Sequence, residues 1–141
     1  MSRDYISTAI RAQLRDVDDS RCAYCQTSEA NTGQMLTFAH IIPESQDGPT
    51  IFENLCLACR RCNQYKGAAT TGFDPLTGDS VPLFNPRTQH WEEHFAWNDP
   101  GDHLVGLTAI GRATIIALNM NNEAIVTARR RWISVGWHPP K

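Results

Sequence analysis

Apolar positions near the start of the chain recur at helical spacing. Ile6, Ala9, Ile10, Leu14 and Val17 fall on one stripe, which predicts an amphipathic helix over Tyr5 to Val17. Ser2 or Asp4 could cap it, and the acidic Asp16, Asp18, Asp19 stretch ends it. Arg21 to Cys25 reads as a tight knuckle, and the polar stretch 26–33 as a loop. Strand-like residues crowd Gln34 to Ile42 until Pro43 stops them. Asp47-Gly48-Pro49 is a turn, and Ile51 to Leu57 leads into a second short strand. Arg60 to Lys66 then reads as a short helix that Gly67 ends. The local order is strand, loop, strand, helix.

The second half is patterned differently. Residues 68–89 are rich in Thr, Gly and Pro, yet Phe73, Leu76, Val81, Leu83 and Phe84 recur through them. That spacing predicts an ordered loop wrapping a core, since a disordered linker would lack such anchors. Trp91 to Trp97 and Leu104 to Leu107 are expected to pair as strands across the Pro100-Gly101 region. Thr108 is placed to cap a helix over Ala109 to Asn119, and Asn121 or Asn122 another from Glu123 to Val135, ending at Gly136. The chain is expected to be a single domain over 1–141, with a core at 22–67 and an extension at 68–141 packed on it.

Length and composition agree with an ordered globular chain: 141 residues, 41% apolar and 20% charged. No apolar run approaches the roughly 18 residues of a membrane span, and the first residues carry no secretory apolar region. The expected setting is cytoplasmic, with no membrane partner. The formal charge of −2 does not announce a nucleic-acid binder. Basic residues concentrate instead at Arg60, Arg61 and Lys66, and again at Arg129 to Arg131. For the Arg129 triplet a solvated helix face is the plainer reading.

Five cysteines in such a chain point to metal rather than disulfides. Cys22-x-x-Cys25 and Cys59-x-x-Cys62 are two knuckles able to complete one tetrahedral four-thiolate zinc site. Such a site is closed to water and therefore structural. Structural zinc is worth about 10–16 kcal/mol in small peptides, comparable to the roughly 5–15 kcal/mol net stability of a whole domain. Cys56 also stands three before Cys59, but its apolar neighbours mark it as a packed core thiol. His90 and His94 are spaced i, i+4 like helical metal ligands, but Trp91, Phe95 and Trp97 around them favour a strand or packed turn. Trp132 and Trp137 read as core anchors.

Between the knuckles lies Phe38-Ala39-His40-Ile41-Ile42-Pro43, followed by Asn54-Leu55 and Cys62-Asn63-Gln64-Tyr65-Lys66-Gly67. This combination over residues 22–67 resembles the HNH endonuclease family in its zinc-stapled subgroup. Leu83 to Arg87, Trp91 and Gly111 to Thr114 also look like the tail of a bacterial subfamily of such proteins. The resemblance implies an α+β fold: a ββα-metal (HNH/His-Me finger) core, a structural four-cysteine zinc site, an N-terminal helix and a C-terminal helical extension. It implies that His40 is the general base, that Asn54 braces the loop and holds the histidine's orientation, and that Asn63 is a ligand of a catalytic Mg²⁺ or Mn²⁺. Lys66 and Arg60 or Arg61 would then contact phosphate. The implied activity is metal-dependent hydrolysis of phosphodiester bonds in DNA, with RNA left open.

One position departs from the family pattern. The residue before the histidine is usually an acidic metal ligand, and here it is Ala39. A methyl group cannot bind a hard cation, which wants oxygen. Asn63 is then the one obvious ligand, with Glu44, Glu53, the scissile phosphate or water as substitutes. The alternative is a weakened or inactive HNH-like zinc module that grips nucleic acid or a protein partner.

Overall fold

The chain divides into two units in a computed structural model that describes residues 5–140. The first runs through Thr70 and regains residues 85–88; the second takes 71–84 and 89 onward. The return of residues 85–88 to the first unit carries no signal in the residue pattern.

In the first unit, α1 (Thr8–Val17) starts where the Ser7 hydroxyl accepts from the Ile10 amide at 3.2 Å. Ser2 and Asp4, the caps read from sequence, lie outside the described residues. The buried stripe is narrower than expected: Ile6 and Leu14 are buried and Ile10 partly so, whereas Ala9 and Val17 are exposed. The polar stretch read as a loop contains a short turn of helix, α2 (Glu29–Thr32), capped by the Ser28 side chain and ended by Gly33 at φ +70°. Sequence periodicity cannot register a single turn of this kind.

β1 (Thr37–His40) and β2 (Leu55–Ala58) form an antiparallel pair with His40 opposite Leu55 and Ala39 opposite Cys56. Every residue of β2 is fully buried. Leu55 joins Ile6 and Leu14 in a core flanked by Ile10, Phe38 and Phe52. Burying a leucine stabilises by about 1.5–3 kcal/mol, so this small cluster holds α1 against β2. Asp18, just past α1, accepts from the Leu57 amide at 2.9 Å and pairs with Arg87. Both charged side chains are nearly inaccessible, and the Arg87 guanidinium lies 5.2 Å from the Phe52 ring centroid. This buried pair ties residues 85–88 to the first unit. A helix, α3 (Arg60–Lys66), follows β2 directly and ends at Gly67 as expected.

The second unit is built from two hairpins and two helices. β3 (Thr71–Phe73) pairs with β4 (Ser80–Pro82) inside the stretch read as a wrapping loop. Its anchors divide: Leu83 and Phe84 are buried, while Phe73 and Leu76 are exposed at the hairpin. The turn is organised by buried Asp74, whose carboxylate accepts from the Leu76 amide and the Thr77 hydroxyl, both at 3.0 Å. Arg112 completes the set with a two-pronged contact at 2.8 and 2.9 Å. The expected long strand from Trp91 instead begins as a helical turn, α4 (Trp91–His94), before β5 (Phe95–Trp97) pairs with β6 (Leu104–Gly106).

α5 (Ala109–Ala117) and α6 (Glu123–Ser134) are capped by Thr108 and Asn122. Gly111 is required there, because a Cβ would lie 2.0 Å from the His94 carbonyl oxygen. Arg129, read as part of a solvated face, is fully buried: it donates to the Met120 and Asp102 carbonyls and to the Asn121 side chain, and it lies 5.1 Å from the Trp97 ring centroid. Arg130 pairs with Asp102, and Arg131 is exposed. Trp137, read as a core anchor, is 58% exposed, and His138 beside it is buried against Trp97. No helix among the described residues is long and apolar enough to cross a membrane.

The Arg112 guanidinium holds the Asp74 carboxyl well below the usual carboxylate range. A depressed folded-state pKa means that the stabilisation is complete above the unfolded aspartate value of about 3.9 and is lost as pH falls below it. Asp74→Asn is therefore expected to lower the melting temperature at neutral pH, with the gap to the parent protein closing below about pH 4. Thermal melts of both proteins across that range check this.

Candidate active site and metal centre

The four predicted zinc ligands converge. Cys22 and Cys25 stand on a knuckle closed by a Cys22 amide bond to the Thr27 carbonyl (2.8 Å) and a Gln26 amide bond to the Cys22 carbonyl (2.9 Å). The Ala23 amide donates to the Leu57 carbonyl at 2.8 Å, which fastens the knuckle to β2. Cys59 caps α3, and Cys62 lies in its first turn. The four ligand atoms all lie within 4.8 Å of one another, and no other group of three or more His, Cys, Asp or Glu side chains is so placed among the described residues. The Cys25 and Cys59 sulfurs are 3.7 Å apart. A tetrahedral ion with bonds of about 2.3 Å separates its sulfurs by about 3.8 Å, whereas a disulfide would need about 2.05 Å. The amides of Cys25 and Cys62 each point at the preceding knuckle sulfur at 3.4 Å. The residues therefore fit a zinc ion.

The thiols also show what a metal would relieve. Burial pushes Cys22 well up from the ordinary thiol value, while hydrogen bonds from the neighbouring thiols pull Cys25 well down. Cys56 stands apart: it is fully buried, and burial pushes it up to about 12, as a packed neutral thiol should behave.

The histidine segment is built on the β1 end. His40 is half-buried, and its Nε2 lies 2.9 Å from the Thr50 hydroxyl and 3.9 Å from a Glu44 carboxylate oxygen. Asn54 is buried just before β2 and makes three bonds with its side chain. Its oxygen accepts from the Ile42 amide at 2.8 Å, and its nitrogen donates to the carbonyls of Ile42 (3.0 Å) and Pro49 (2.9 Å). One side chain thus ties residue 42 to residue 49 and closes the loop between the strands. Gly48 makes that closure possible: a Cβ there would lie 1.8 Å from the Ile42 carbonyl oxygen.

Asn63 sits half-buried on α3, with Arg60 and Arg61 exposed on the same helix. Lys66 does not join the arginines. Expected at the phosphate, it is 4% exposed, and its ammonium donates to the Ile41 carbonyl at 2.7 Å and the His40 carbonyl at 3.4 Å. The physical reason is its place on α3: four residues after Cys62, it falls on the same buried face and is turned toward β1. Burial lowers its pKa. Of the two acids weighed as substitutes for Ala39, Glu44 stands beside His40, whereas Glu53 is exposed on the short 3₁₀ turn Phe52–Asn54. Thr50 was missed in the sequence; a lone threonine after a turn carries no signal of its partner. His90 and His94 do not meet at a metal: His90 is exposed, and His94 Nδ1 lies 2.6 Å from the Thr108 hydroxyl.

Lys66→Ala is expected to destabilise the protein by about 2–4 kcal/mol, through the space left behind and the unsatisfied carbonyl of Ile41. Urea unfolding measures it; a change below about 0.5 kcal/mol would place Lys66 among ordinary surface residues.

The comparisons with known proteins agree with this geometry. The HNH endonuclease family model matches residues 22–69. The CRISPR-associated endonuclease Cas9 of Corynebacterium diphtheriae is 37% identical over 91 residues, which is 57% of this chain and 8% of that protein. The chain thus corresponds to a small fraction of that relative's length. No solved structure matches it. Residues 22–69 are thus similar to the HNH endonuclease family, and the matched stretch contains the four clustered cysteines.

Proposed function

We propose that the first unit is the catalytic centre of a metal-dependent endonuclease that hydrolyses phosphodiester bonds in DNA. The observation that carries this reading is the half-buried His40, beside a loop closed by Asn54, within a segment matching the HNH family. Neutral imidazole is suited to take the proton of an attacking water near pH 7. The water oxygen then bonds to phosphorus, the bond to the leaving 3′ oxygen breaks, and that oxygen ends protonated. Asn54 keeps the loop rigid so that the imidazole is already in place. Arg60 and Arg61 are exposed on α3 and would meet the phosphates. The four thiols would hold Zn²⁺, which supplies structure and no chemistry.

A catalytic Mg²⁺ or Mn²⁺ would take its protein oxygen from Asn63, and when bound it would stabilise charge on the leaving oxygen. The Ala39 side chain offers no oxygen, and the residue is buried opposite Cys56. That observation favours the second reading, a zinc module that grips nucleic acid or a protein partner without cutting.

The two readings separate in one assay. With Mg²⁺ or Mn²⁺ the protein should nick plasmid DNA, and His40→Ala should slow cleavage by about 10²–10⁴-fold. Binding without cleavage across several divalent ions would favour the module. Arg60→Ala and Arg61→Ala should each lower the slope of log affinity against log salt by about one, measured by fluorescence anisotropy on duplex DNA.

A further inference from the structure

We infer that Thr50, with Glu44 beside it, is a positioning residue that fixes the tautomer of His40. The pair holds the ring proton on Nε2 and leaves Nδ1 as the atom that accepts the proton from water. This rests on the reading of His40 as a general base and adds which nitrogen acts and what selects it.

A neutral imidazole has one N–H and one lone pair, and which nitrogen carries the proton is set by what the other groups offer it. Here the two nitrogens face different surroundings. Nε2 has the Thr50 hydroxyl oxygen at 2.9 Å and the Glu44 carboxylate at 3.9 Å. Nδ1 has no hydrogen-bond partner among the described residues. A hydroxyl can donate or accept, so Thr50 alone would suit either tautomer. The carboxylate breaks the tie. Negative charge on the Nε2 side favours the N–H there and disfavours a lone pair. The hydroxyl then acts as acceptor, and the lone pair is left at Nδ1.

The threonine's position is itself held. Pro49, the residue before it, is bound through its carbonyl to Asn54, and the same amide nitrogen holds Ile42, two residues after His40. The Gly48 amide donates to the Pro43 carbonyl at 3.0 Å, and the Lys66 ammonium lies against the His40 carbonyl. The main chain on both sides of the imidazole is therefore fixed, and the ring's one remaining freedom, rotation about its side-chain bonds, is met by the Thr50 hydroxyl. Asn54 thus acts on the histidine through the main chain at Ile42 and Pro49, on both sides of the loop that carries Thr50.

The test is long-range ¹H–¹⁵N NMR of the His40 ring at about pH 8, above the ordinary histidine range. The full chain is used, alongside Thr50→Val, Thr50→Ser and Glu44→Gln. Valine preserves the shape and removes the hydroxyl; serine restores it. The expected parent spectrum shows an unprotonated Nδ1 and a protonated Nε2. Thr50→Val should move both nitrogens toward averaged, exchanging values and lower kcat on the order of tenfold with little change in KM. Thr50→Ser should recover both, and Glu44→Gln should shift the ring in the direction of Thr50→Val.

A parent ring protonated on Nδ1 would overturn the inference. So would a Thr50→Val protein that keeps the fold and shows the parent's ring nitrogens. Should the parent protein fail to cleave DNA, the endonuclease reading falls, while the ring spectrum still decides the tautomer assignment.

Discussion

Four sulfur atoms from two distant stretches of chain must meet in a space smaller than 5 Å, and most of the first unit follows from that meeting. Cys22 and Cys25 come from a turn after the first helix; Cys59 and Cys62 come from the start of α3. Bringing them together sets the knuckle against β2, where the Ala23 amide meets the Leu57 carbonyl. It also sets the first turn of α3 at the end of β2. A unit of about seventy residues draws limited stability from packing such as that of Ile6, Leu14 and Leu55. An ion held by the four thiols would add stability to that packing.

From that anchor the candidate chemistry is arranged by hydrogen bonds to the main chain. The loop between β1 and β2 has no regular ladder of its own, so its polar groups need other partners. Asn54 provides three of these bonds and Lys66 two. Both side chains spend their polar groups on backbone, which explains why each is buried. The outcome is a histidine whose flanking main chain is held by several hydrogen bonds and whose Nε2 meets Thr50 and Glu44. Preorganisation of this kind lowers the cost of reaching a reactive geometry.

Much of this was legible in the sequence where a local rule applies. Two pairs of cysteines at fixed spacing announced the four-cysteine cluster. Gly67, Thr108 and Asn122 marked helix ends that the structure places within a residue or two. The histidine and asparagine positions came from resemblance rather than from pattern. What was not legible depends on contacts between residues far apart. The burial of Lys66 follows from α3 turning one face to β1. Arg129 is buried because carbonyls from Met120 and Asp102 converge on it. Asp74 is buried at its hairpin with Arg112, from a later helix, as its charge partner. A charge run in a sequence reads as solvated until such acceptors are known.

The most direct test of the account is metal removal followed by amide hydrogen exchange. Native mass spectrometry should find one zinc ion per chain, and replacement by Co²⁺ should give the absorption of a tetrahedral thiolate site. After a strong chelator strips the ion, the amides of Leu55–Ala58 and Arg60–Lys66 should lose their protection together, and His40 with them. A chain that binds no metal at its four cysteines, or one whose amides in those segments stay protected once the metal is gone, would contradict it.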